Sequence, residues 1–218
     1  SLAAMTAAWA VAWRTGAAGF IDGVWPLVMV LTAGAVFLLA EADPVRKGLL
    51  LWLTGVWALR EAWRGFKPAA RKAANARYAR VGGPTDRLWR CFLPQGALAW
   101  LTALPAQLGQ MEFGSAVGWI GWSGAGLAVA GMALAGMGDL GQAMRRPARG
   151  AGADAPAIWR GWLSRPDYVG DIAVWWGLFL IAAETGPGRW SIVGPVFLTL
   201  ALGHWIRTEN PRRERDGG

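Results

Sequence analysis

AVGWIGWSGAGLAVAGMALAGMG, residues 116–138, is the stretch whose reading decides the fold. No charged side chain interrupts it, and Asp139 closes it. An α-helix rises about 1.5 Å per residue, so a hydrocarbon layer about 30 Å thick requires about 20 apolar residues. The stretch reaches that length as a continuous block, not as the one-sided stripe of a soluble surface helix. It contains Gly118, Gly121, Gly124, Gly126, Gly131, Gly136 and Gly138. Glycine at this density lets helix backbones approach closely inside a membrane, so helix packing is the first expectation. An apolar ligand lying in the resulting groove is the second.

Six further apolar blocks flank this one, at about 2–13, 24–40, 48–63, 91–109, 170–185 and 190–206. Hydrophobic residues make up 54% of the chain, charged residues only 17%, and the mean hydropathy is +0.28. A soluble domain carries about a quarter charged residues. Of the 16 Trp, several stand near block ends: Trp13, Trp25, Trp89, Trp159, Trp190 and Trp205. An indole prefers the headgroup level, where its ring is buried and its N–H stays wet. The expected fold is all-α, a polytopic membrane helical bundle with about seven transmembrane segments. Residues 1–206 form its single transmembrane domain, and 207–218 a cytoplasmic polar tail, frayed and solvated from Asn210 on. Pro94, Pro105 and Pro195 fall inside blocks and predict kinks or local unwinding.

The charges set the orientation. The net charge is +8, and the Arg and Lys cluster in two loops and the tail. Between Arg64 and Arg90 lie Lys67, Arg71, Lys72, Arg77, Arg80 and Arg87 against one acid, Asp86. With that segment in the cytoplasm, strict alternation puts Arg145, Arg146, Arg160, Arg165 and the Arg-rich tail on the same side. The turn from Glu184 to Arg189 falls on the other side. The reading is an integral protein of the bacterial inner membrane, with its N-terminus outside and its C-terminus in the cytoplasm. No nucleic-acid-binding module accompanies the basic charge, so nucleic acid is not an expected partner. Cys91 and His204 each stand alone, which rules out an intramolecular disulfide and argues against a His/Cys metal site.

Charges at a membrane edge are costly and mark candidate sites. Asp139 closes one block, and Asp167, Tyr168 and Asp171 flank the start of another. Arg145, Arg146, Arg160 and Arg165 lie between them. Acids and arginines converging on one face suit a polar pocket, because Arg holds phosphate bidentately and acids hold hydroxyls or orient the Arg. The plainer reading is a juxtamembrane belt of ion pairs. No Gly-rich phosphate loop is present.

The segment 158–181, IWRGWLSRPDYVGDIAVWWGLFLI, resembles the C-terminal part of the DUF1295 family, which belongs with the steroid 5-alpha-reductase and sterol-reductase membrane proteins. That family carries a stretch like Gly-Leu-Trp-x-x-Ser-Arg-His-Pro-Asn-Tyr-x-Gly-Glu before an apolar Trp-Trp-Gly segment. Other elements agree in order. Asp22 and Trp25 resemble an early Asp-x-x-Trp, and Trp57 to Arg60 a Trp-x-x-Arg. Gln95, Trp100 and Pro105 resemble a middle span, and Gly131 to Asp139 a span ending in Asp.

The resemblance implies a helical membrane protein that takes a nicotinamide cofactor, NADPH, from the cytoplasmic face and reduces a carbon–carbon double bond in a sterol-like or other apolar lipid. It implies that Asp139, Arg146, Tyr168 and Asp171 lie at the cofactor, with Arg146 toward phosphate. The sequence also departs from the pattern. Ser164-Arg165-Pro166 lacks the family His, Asp167 stands where Asn is usual, and Ala135 replaces an expected Glu. These losses leave an alternative open: a non-catalytic subunit of a larger membrane complex that keeps the reductase fold and packs against neighbouring membrane subunits.

Overall fold

In the computed structural model each apolar block is helical. The structure describes residues 1–16, 18–112, 116–144 and 165–216, with side chains described outside 140–144 and 205–216. The elements are α1 (Leu2–Thr15), α2 (Ile21–Leu39), α3 (Pro44–Phe66), α4 (Pro68–Ala79), α5 (Pro84–Arg87), α6 (Leu93–Thr102), α7 (Leu104–Leu108), α8 (Trp119–Met144), α9 (Pro166–Ala183) and α10 (Val193–Asp216). A π turn, Leu88–Phe92, leads into α6, and a 3-10 turn, Pro187–Ile192, leads into α10. Among the described residues there is no strand.

Prolines set the helix starts. Pro44, Pro68, Pro84, Pro94, Pro105 and Pro166 all occupy a first turn, where the missing N–H has no intrahelical partner to lose. Asp43 adds a cap to α3, its side chain accepting from the Arg46 N–H at 2.8 Å. Pro94, Pro105 and Pro195 stand in helix first turns, and the expected local unwinding lies just before each of them, as the π turn ending at Phe92, the break at Ala103 and the 3-10 turn ending at Ile192. The block at 91–109 is accordingly not one span but a π turn followed by two short helices. The basic segment 64–90 is itself largely helical, as α4 and α5. At the other end, the α10 backbone stays helical to Asp216, past residue 207 where the sequence reading starts the tail.

Two helices among the described residues are long and apolar enough to cross a membrane: α2, and the Trp119–Asp139 part of α8. That is fewer than the seven expected. α3 carries charges near both ends, α6 and α7 are short, and α9 opens with Asp167 and Asp171.

The glycines of 116–138 do what their density predicts. α8 and α9 run antiparallel in close contact through Gly124 against Gly177 and Gly131 against Gly170. A Cβ on Gly124 would lie 2.6 Å from the Gly177 carbonyl oxygen, and one on Gly131 the same distance from that of Gly170. Only backbone-to-backbone approach fits there. Gly126 and Gly136 face open space and take no part. α2 and α3 make a similar crossing, where Gly65 abuts Gly23. Trp175 of α9 is fully buried and meets Trp57 of α3 edge-on, with ring centroids 5.0 Å apart. The outer surface is apolar: Leu38 is 82% exposed, Trp52 73%, Trp119 80% and Trp190 78%.

Candidate functional site

α3 ends in Trp57, Arg60, Glu61 and Arg64, whose spacing of three and four residues gathers them on one helical face. Against this face α8 brings Asp139, and α9 brings Asp167 and Asp171 from successive turns. Arg60 joins the helices: its Nε and Nη2 donate to Asp139 Oδ2 at 3.0 and 2.8 Å, and its Nη1 donates to Asp171 Oδ1 at 3.1 Å and Glu61 Oε1 at 2.7 Å. Arg64 reaches Glu61 at 3.0 Å, Asp139 at 3.2 Å and Asp167 at 3.0 Å. Trp57 Nε1 donates to Asp171 Oδ1 at 3.0 Å. Arg165 also bonds Asp167, and its guanidinium lies 3.8 Å from the centroid of the Tyr168 ring. Asp167 is fully buried, and it survives there as a charge because two guanidiniums surround it. Four carboxylates thus share three guanidiniums.

Beside this junction lies a cavity of about 680 Å³ between α2, α4, α6, α9 and α10. That volume suits a lipid-sized organic molecule. Its body is apolar, lined by Trp25, Leu98, Phe197, Leu198 and Leu202. One end is polar. The Tyr78 hydroxyl donates to Asp22 Oδ1 at 3.0 Å and accepts from Gln95 Nε2 at 2.7 Å, and Arg77 pairs with Asp22. Burial, together with the Asp22 charge, pushes the Tyr78 hydroxyl up to about 12 against the pull of Gln95 and Arg77, so it stays protonated at neutral pH. Arg90 lines the same cavity and makes no ion pair among the described residues.

The two centres touch. Trp25 of the cavity wall meets Trp57 edge-on at 6.1 Å, and Trp57 holds Asp171. Tyr168 lines the cavity, next in sequence to Asp167 of the junction.

Of the residues assigned from sequence, Asp139 and Asp171 come together on Arg60, and Tyr168 lies at the cavity. Arg146 lies outside the described residues. The sequence reading named Asp22, Trp25 and Gln95 without joining them, and it gave Arg64, Tyr78 and Arg77 no role at the site. Tyr78 could have been flagged as one of only two Tyr in the chain, set inside a basic segment.

A single family profile runs through nearly all of these elements. The chain belongs to the DUF1295 family. The family profile, described as a protein of unknown function, matches residues 8–216. All of the described junction and cavity residues fall within that match. No curated protein and no solved structure matches the chain. The DUF1295 match therefore carries kinship without an activity. Among the described residues no group of acids, His and Cys is arranged to hold a metal ion.

Proposed function

We propose that this chain is a membrane-embedded, reductase-like protein that takes an apolar lipid- or sterol-like molecule into the cavity between α2, α4, α6, α9 and α10. The cavity itself carries this reading: an apolar body of lipid-sized volume ending in the Asp22–Tyr78–Gln95 chain. It draws together Asp22, Trp25 and Gln95, three residues on which the resemblance to steroid 5-alpha-reductase-like proteins rests.

The membrane part of the proposal rests on spacing. One end of the α3–α8–α9 slab holds Arg46 and Glu184, and the other holds Arg60, Asp139 and Asp171. Along α3 and α9 the two polar layers stand about 20 Å apart, and along α8, from Gly121 to Asp139, about 27 Å. That separation approaches a hydrocarbon thickness of about 30 Å. The exposed Trp and Leu between and around the layers suit lipid contact better than water. In this reading further helices share the crossing with α2 and α8. The Asp139 end faces the cytoplasm of a bacterial inner membrane, with the N-terminus outside and the C-terminus inside.

The nicotinamide part, with NADPH as hydride donor, rests on the family resemblance. The described junction does not by itself fit the cofactor's phosphates. Acids outnumber guanidiniums there, and Arg60, Arg64 and Arg165 are each already on a carboxylate. A second reading gains from the same observation: a junction whose charges neutralise one another is what a non-catalytic subunit of a larger membrane complex would keep to hold its helices together.

Thermal stability of the detergent-purified protein with and without NADPH separates the two. A ligand at about 100 times its Kd adds about 2.7 kcal/mol to the folded state. A clear upward shift, lost in Asp171→Ala and in Arg146→Ala, supports the reductase. No shift at millimolar NADPH sinks the hydride chemistry and leaves the non-catalytic reading.

A further inference from the structure

The π turn and α6 give the cavity a depth scale. Arg90 and Cys91, Pro94 and Gln95, then Leu98 and Thr102 line it one turn after another, so this wall runs about 18 Å from a guanidinium into apolar packing. Three of the described lining residues are charged: Asp22, Arg77 and Arg90. Asp22 and Arg77 pair with each other, so Arg90 carries the net charge of the lining. Arg90 is exposed and Arg77 is 48% exposed, which makes this end of the cavity its mouth. The segment that forms the mouth, Lys67 to Arg90, sets seven cations against one acid, Asp86. On α4 and just after it, Arg71, Lys72 and Arg80 are exposed. Charge of one sign beside an apolar wall focuses its field on an approaching anion.

We infer that the cavity takes an anionic amphiphile, its apolar chain lying along Leu98 and Phe197 and its carboxylate or phosphate held by Arg90 at the mouth. The inference rests on the cavity reading above and narrows its ligand class. A guanidinium presents paired N–H groups that match the oxygens of either head. A quaternary ammonium head instead meets repulsion from Arg90 and from the exposed cations of α4. A hydroxyl head fits the space but brings no opposite charge to the guanidinium. In the orientation proposed above, the mouth lies at the cytoplasmic membrane edge, where anionic lipids supply the negative surface potential. Such a molecule enters from that leaflet with its head staying at the water level. An arginine that only anchors the chain among headgroups sits at the same edge, and the test separates the two roles.

Cys91 makes that test direct, because the lone thiol of the chain lines the cavity next to Arg90. The protein in a neutral detergent is treated with N-ethylmaleimide in the presence of tetradecanoate, tetradecyl phosphate, tetradecanol or tetradecyltrimethylammonium. Both anions are expected to protect Cys91 at about fivefold lower concentration than the alcohol, the effect of one ion pair at a half-wet rim, and the ammonium least of all. Arg90→Gln is expected to bring the anions level with the alcohol, and Arg90→Lys to keep part of the preference. Wild type and variants are read in the same micelles, so probe partitioning cancels. The more protective of the two anions then names the head. Equal protection of wild type by anions and alcohol, or an anion preference that Arg90→Gln leaves intact, overturns the inference and leaves the cavity reading standing. No protection by any of the four probes overturns both. Should Arg90→Gln not fold, salt decides in wild type: the preference is expected to collapse as NaCl rises to about 1 M, where the screening length is about 3 Å, and a preference that survives overturns the inference.

Discussion

At one end of the α3–α8–α9 slab a single carboxylate, Glu184, meets three donors; at the other, four carboxylates share three guanidiniums. Glu184 accepts from the backbone N–H groups of Gly118 and Gly121 at 2.9 and 2.8 Å and from Arg46 Nη2 at 3.1 Å. The two N–H groups belong to the start of α8, so the carboxylate also complements the positive end of that helix. Arg46, 1% exposed, further donates to the Ala116 carbonyl oxygen. This end is a clamp with its acid fully committed. The opposite end is linked to the cavity through Trp57, Trp25 and Tyr168, and carries an excess of acid. The comparison teaches that the same chemistry, ions between three helices, can be complete in itself at one end and adjoin a binding space at the other.

The comparison breaks most severely at Arg60. Arg60→Leu leaves Asp139 and Asp171 facing one another without their shared counter-charge, and is expected to destabilise the protein by about 3–5 kcal/mol. Chemical denaturation in detergent micelles measures it. Next comes the seam between the two ends. Gly131→Leu forces a side chain into the Gly170 carbonyl oxygen, for an expected loss of about 1–3 kcal/mol on the same assay. Gly136→Ala, where the space is open, is expected to be neutral or slightly stabilising.

The outer clamp sharpens the contrast through pH. Burial works against the Glu184 charge, but the N–H groups of Gly121 and Gly118 and the Arg46 guanidinium outweigh it and hold the carboxyl below its usual range. A depressed carboxyl contributes stability that is fully present above its unfolded pKa, and the contribution fades as pH falls through the lower folded value. Glu184→Gln is therefore expected to lower stability at pH 7 by about 1–2 kcal/mol, with the difference from wild type shrinking in acid. A difference that stays constant down to pH 3 contradicts this. The smallest destabilisation belongs to Tyr78→Phe. It removes one hydroxyl bridge, and its loss of about 1 kcal/mol should leave the fold intact while weakening ligand retention in the cavity.

Much of this was legible in the sequence, for local reasons. Block ends gave the helices, since an apolar run closed by Asp139 or opened by Asp167 has few other foldings. The glycines of 116–138 announced close helix packing before the partner helix was known. What periodicity cannot supply is pairing across distance. Trp57 and Asp171 are separated by 114 residues, and Arg46 and Glu184 by 138. Nothing in either local segment specifies the other. The prolines were legible in part: inside an apolar block Pro94 and Pro105 predict a kink or unwinding, and the unwinding is there, but each then starts a short helix of its own. The cavity depends on five helices at once, so Asp22, Tyr78 and Gln95 became a unit only in the fold.

Native mass spectrometry of the detergent-released protein tests the central claim most directly, since it reads whether the cavity holds a molecule. The account predicts a retained adduct with the mass of an apolar organic compound, lost in Leu98→Trp and kept in Glu184→Gln, where only the outer clamp is disturbed. An adduct that persists equally in Leu98→Trp, or no adduct in wild type even after incubation with total membrane lipid, would contradict it.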